Sequence, residues 1–93
     1  MSINFYPETD YGFARRMFWG RAFGLFIKEF REKKNRSVEA ASHLAGMAAP
    51  SWKAIEAGLI PGPEQLHLMA DAIGLGHDVI ERLAMFCQDA WND

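Results

Sequence analysis

From Ser37 to Gly58 the chain reads SVEAASHLAGMAAPSWKAIEAG, and no other stretch constrains the fold as tightly. It divides into two short helices joined by a tight turn. Ser37 is placed to cap the first, its hydroxyl accepting from the free backbone donors of the opening turn, and Glu39 suits the positive end of the helix dipole. Ala41, Leu44 and Ala45 fall on one face at helical spacing. Gly46 follows where a turn between helices needs a positive φ, and Met47 is expected to plug the corner. A second helix is predicted from about Ala49, with Pro50 tolerated because its missing donor lies in the first turn. Trp52, Ile55 and Glu56 continue the pattern and Gly58 stops it.

With Ser37 opening a helix, Glu39, a small residue at Ser42, Gly46, the apolar corner Met47 and Ile55-Glu56 before Gly58, the stretch resembles the helix-turn-helix of the phage repressor and Cro family, the Xre type. The resemblance extends outward. Ile27 and Phe30 look like the family's first helix, and Leu66, Met69, Ala70, Ile73, Gly74 and Leu75 like its fourth. It implies an all-α, five-helix repressor-like domain whose second motif helix enters the major groove of duplex DNA. Carried onto this chain, Ala48, Ala49, Ser51 and Lys53 would face base edges, and Ser37 would hold phosphate at the start of the first motif helix. Lys33, Lys34 and Arg36 lead into the motif as further phosphate contacts. The family often carries a long polar side chain at what are here Val38 and Ala49. Both are apolar, and apolar groups offer a base edge little beyond contact with a thymine methyl.

Charge is divided along the chain. Before Ser37 eight basic residues oppose four acidic ones, a net of +4, whereas from Ser37 onward Lys53 and Arg82 oppose eight acids, a net of −6. Non-specific affinity for duplex DNA comes mostly from neutralising phosphates, so the acidic half weighs against ordinary DNA binding and the basic lead-in weighs for it. Two readings stay open. One is a dimeric DNA-binding regulator; the other is a helix-turn-helix that binds a protein through the Ala-rich helix face or the aromatic N-terminus, with little or no DNA binding.

The remaining segments read as one domain over residues 1–93. Residues 1–13, MSINFYPETDYGF, form an aromatic N-terminal extension outside the family core, either packed on its own domain or serving as a dimer arm. A helix is expected from about Phe13 to Lys34, with Phe23, Ile27 and Phe30 as its core stripe and Asn35 as a left-handed stop. Gly20 and Gly24, four apart, allow another helix to approach closely. After the loop LIPGPEQ, Pro63 opens a helix ending at Gly74, and Asp78 is expected to cap a last helix over 78–91. That helix sets Ile80, Leu83, Cys87 and Ala90 on one stripe, either completing the core or forming a homodimer contact.

No constellation for catalysis is found. His43, His67 and His77 fall on three predicted elements with no Cys or carboxylate evident at ligand spacing, so neither metal nor cofactor is expected. Ser37, Ser42 and Ser51 read as caps and helix-contact residues, and an enzyme of this size would need a pocket that small helical bundles seldom provide. Cys87, the single cysteine, reads as a buried hydrophobe, and Trp52 as core opposite Ala41 and Ala45, a large residue offset by small ones. No run approaches the length of a membrane span and no signal-peptide pattern opens the chain. The expected setting is the cytoplasm.

Overall fold

A computed structural model describes the backbone of residues 8–92 and the side chains of residues 18–88. Among them the only regular elements are five helices: α1 (Glu8–Lys33), α2 (Val38–Ala45), α3 (Ala49–Glu56), α4 (Pro63–Ile73) and α5 (His77–Asn92). The all-α, five-helix expectation holds. Helix α1 begins at Glu8, some five residues before the expected start, so part of the expected N-terminal arm is helical. The remainder of that arm, and the contacts of Tyr11, Phe13 and Ala90, lie outside the described residues.

The helix ends between Asn35 and Gly76 follow from their local sequence. Asn35 takes a left-handed φ of 55° and closes α1. The Ser37 hydroxyl then accepts from the Ala40 amide at 3.0 Å, which starts α2. Gly46, with φ 70° and ψ 29°, ends it, and the Met47 amide reaches back to the Ser42 carbonyl at 2.9 Å. Ala48 stands at the head of α3 in extended backbone with no side chain to cap it, and Pro50 occupies the first turn. Gln65 Oε1 accepts from the Gly62 amide at 2.9 Å to start α4. Helix α5 starts differently from expectation. Asp78 lies inside its first turn and pairs with Arg82 at 2.9 Å, while the Gly76 carbonyl accepts the Val79 and Ile80 amides. A carboxylate one turn before an arginine on the same helix face finds that partner more readily than the helix-end amides.

The core is one cluster drawn from all five helices. Phe23 and Ile27 of α1, Ala41 and Ala45 of α2, Trp52 and Ile55 of α3, Met69, Ala70, Ala72 and Ile73 of α4, and Ile80, Ala84 and Cys87 of α5 are buried. Trp52 does sit in the core with Ala41 and Ala45. Cys87 is buried too, and burial pushes its thiol above the ordinary range, away from the thiolate that a nucleophile needs. Leu44 departs from the expected face and is 57% exposed. Three residues after Ala41 it has rotated past the seam that Ala45 fills, because an eight-residue helix buries only a narrow stripe.

Helix α1 packs mainly on α5 and then on α3. The α3 contact is close because α1 has no side chains there. A Cβ at Gly24 would lie 2.5 Å from the Glu56 carbonyl oxygen and 2.6 Å from that of Ile55; at Gly20 it would collide with the Gly58 oxygen. The two glycines thus receive the C-terminal end of α3.

Candidate nucleic-acid interface

Helices α2 and α3 with the Gly46 turn form the unit that the sequence singles out. Its inward side is made of Ala41, Ser42, Ala45, Trp52 and Ile55, all buried. Its outward side carries Glu39, Ala40, His43 and Leu44 on α2, and Pro50 and Lys53 on α3, with Ala48 at the corner. Two contacts from α1 fix this unit. One is the glycine cradle. The other is a buried ion pair: Arg31 Nε donates to Glu56 Oε2 at 2.6 Å and Arg31 Nη2 donates to Glu56 Oε1 at 3.0 Å. Each side chain keeps 10% of its exposure.

The Glu56 carboxylate also accepts from Trp52 Nε1 at 2.6 Å, and Arg31 Nη1 donates to the Arg36 carbonyl at 2.8 Å. A carboxylate holding a forked guanidinium and an indole N–H has its lone pairs used in fixed directions. The hydrogen bonds to Glu56 raise the Arg31 pKa further above its ordinary value. One cluster therefore joins α1, the α1–α2 loop and the stretch of α3 from Trp52 to Glu56.

The expected site residues fall into two groups. Ala48, Ala49, Ser51 and Lys53 lie together on α3 and its leading corner. Ala48 and Lys53 are exposed, whereas Ala49 and Ser51 are half-buried. The Ser37 hydroxyl is engaged as the α2 cap, and Val38 packs against the core. Lys53 Nζ stands 3.6 Å from Glu39 Oε2, both side chains being largely exposed.

The basic lead-in is drawn elsewhere. Arg36 Nη1 donates to the Ala72 carbonyl at 2.8 Å, and the Lys34 ammonium lies 3.2 Å from where a Gly74 Cβ would be. Both thus gather at the C-terminal end of α4, whose free carbonyls and dipole attract cations. Lys33 stays exposed on the last turn of α1.

Sequence reasoning missed the Arg31–Glu56–Trp52 cluster. Two signals for it were present. Arg31 continues the Phe23–Ile27 stripe by one more turn, and Glu56 falls one turn after a tryptophan whose N–H needs an acceptor when buried. The expectation that no carboxylate stands beside the histidines is also corrected. His67 Nε2 is 2.5 Å from Glu81 Oε2, His77 Nε2 is 2.9 Å from Asp71 Oδ1, and the two imidazoles stack with centroids 4.2 Å apart. Asp71 lies one turn after His67 and Glu81 one turn after His77, so the pairing crosses between α4 and α5. Among the described residues, no group of three or more histidine, cysteine or acidic side chains is arranged to hold a metal ion. Nor is any described helix long and apolar enough to cross a membrane.

Two short helices about a left-handed glycine, one half-embedded in a helical core and the other presenting an outward face, define a helix-turn-helix domain. A family model described as the helix-turn-helix domain matches residues 22–83, two thirds of the chain, and the chain belongs to that family. Comparisons with curated proteins and with solved structures return no match.

Proposed function

We propose that the protein is a DNA-binding transcriptional regulator of the phage repressor and Cro type, acting in the cytoplasm as a homodimer with α3 in the major groove. The observation that carries this reading is the two-sided character of α3. Trp52 and Ile55 are buried on one side, while Pro50 and Lys53 remain exposed on the other behind the exposed Ala48. A B-form major groove admits such a helix, whose first turn and leading corner then reach base edges. The readout is mainly apolar: Ala48 and Ala49 against thymine methyls, with Ser51 hydrogen-bonding and Lys53 meeting phosphate or a purine edge. Lys33 and Lys34 meet phosphate at the flank, and Ser37 and Arg36 contribute through the backbone they order. The second copy docks through the exposed Val79, Met85 and Phe86 of α5 or through the aromatic N-terminal segment.

The test is retention of mixed-sequence duplex DNA across a salt series, followed by sequencing of the retained pool. A steep salt dependence with an enriched palindrome supports a dimeric reader, and no retention at low salt removes it. Lys53→Ala is expected to weaken binding and flatten the slope of log affinity against log salt by about 1, the value for one lost phosphate contact. An unchanged slope excludes Lys53 as that contact.

A second reading, a protein-binding helix-turn-helix, is favoured by one observation: the outward face joins the exposed Leu44 to Ala40, Ala48 and Pro50 and holds its lysine beside Glu39. On that reading Ala49→Arg abolishes partner binding with the fold intact. On DNA the same change tightens non-specific binding, so filter binding and a pull-down of wild type and the variant separate the readings.

A further inference from the structure

We propose that Glu39 is a built-in restraint on DNA binding, its carboxylate competing with phosphate for Lys53. This rests on the DNA-binding reading and goes beyond it by assigning a role to a residue that touches no base. From Ser37 to His77 the chain contains one Lys or Arg, and that is Lys53. Its ammonium is shared across the turn with Glu39, which stands in the first turn of α2.

The pair is exposed on both sides, so it contributes little to stability and yields readily to a competing anion. Docking α3 brings Glu39 along. A carboxylate within salt-bridge reach of the lysine stays within the ~10 Å screening length of the phosphate that the lysine approaches. Glu39 therefore acts twice, first by holding Lys53 and then by repelling the backbone. The sequence-independent part of the affinity falls most, because it consists of phosphate neutralisation. Contacts to base edges are left in place. The result is a domain that ignores most duplex DNA and is retained only where shape and apolar contacts fit.

The experiment compares wild type, Glu39→Gln, Lys53→Met and the double variant by fluorescence anisotropy on mixed-sequence duplex over a salt series, with thermal unfolding of each as the folding control. Glu39→Gln is expected to bind about three- to tenfold tighter at ~0.1 M salt, with a steeper slope, the increase staying below about 1 because Lys53 already supplies part of one phosphate contact in the wild type. In the Lys53→Met background the gain should be clearly smaller, about twofold, because only the repulsion of the backbone by Glu39 remains to be relieved. Equal gains in the two backgrounds would show that Glu39 acts on phosphate without Lys53 and would overturn the competition. Wild type that binds, with Glu39→Gln no tighter, overturns the restraint alone. If neither binds at low salt, the DNA-binding reading falls together with it.

Discussion

Gly24→Ala should lower the thermal midpoint by about 10 °C or more, although in an ordinary helix the same change is stabilising. The intrinsic preference of alanine over glycine within a helix is worth about 1 kcal/mol in favour of the variant. Against it stand the Glu56 and Ile55 carbonyl oxygens, 2.5 and 2.6 Å from the new methyl group. These are backbone atoms of a packed helix, and no rotamer change moves them. Helices α1 and α3 must separate, and in a close-packed interior that loses contacts along the whole seam. Overpacking of this kind costs about 1–3 kcal/mol before the ion pair beside it is stretched. Because two backbone oxygens are met at once, the cost lies at the upper end, about 3 kcal/mol, and the net loss of about 2 kcal/mol, at about 4–8 °C per kcal/mol for a domain of this size, gives the stated shift. Circular dichroism melts of the variant and wild type decide it. A raised midpoint would mean that α1 and α3 are not in contact at Gly24.

Glu56→Ala is expected to cost about 3–5 kcal/mol, a large part of the 5–15 kcal/mol that usually holds a domain folded. The lost attraction is the smaller part of that figure. Removing Glu56 leaves the Arg31 guanidinium, 10% exposed, without its carboxylate and Trp52 Nε1 without its acceptor. Uncompensated buried donors dominate such losses. It follows that Arg31→Met on top of Glu56→Ala should recover stability, since it removes the stranded charge. The two single losses should exceed the double loss by at least about 2 kcal/mol, within the range measured for residues sharing one hydrogen-bonded network. Urea denaturation of the four proteins gives the coupling. Simple additivity would mean that Arg31 and Glu56 do not share a buried network.

Much of the fold could be read from local chemistry because its boundaries are set by residues with few alternatives. Ser37 as a cap, Asn35 and Gly46 in left-handed backbone, Pro63 opening α4 and Gly74 closing it all appear where the chain places them. Short-range hydrogen bonds and steric limits act within a turn, so they survive whatever the rest of the molecule does. The GxxxG spacing in α1 was legible as a close approach, but its occupant was not. That occupant is the end of α3, more than thirty residues away in sequence.

The candidate site was less legible, for a related reason. Arg31 entered the charge balance as a surface cation, and Glu56 as a surface anion. In the folded protein they neutralise each other out of solvent, so the outward charge of the two halves is nearer +3 and −5 than +4 and −6. Arg36 looks like a free cation until its guanidinium is seen to donate to the Ala72 carbonyl near the end of α4. Such assignments turn on which distant backbone carbonyl or carboxylate a long cationic side chain meets. Spacing along one helix carries no information about that.

The packing of α1 against α5 has a consequence for biosynthesis. Helix α1 leaves the ribosome before α5, the helix with which it has its most extensive contact. At about 5–20 residues per second, several seconds pass between the emergence of Phe23 and Ile27 and that of Ile80 and Cys87. Throughout that interval the side of α1 that faces α5 waits without its main partner. The nascent chain is therefore expected to keep this seam open until α5 arrives, and to close its core in a single late step rather than helix by helix.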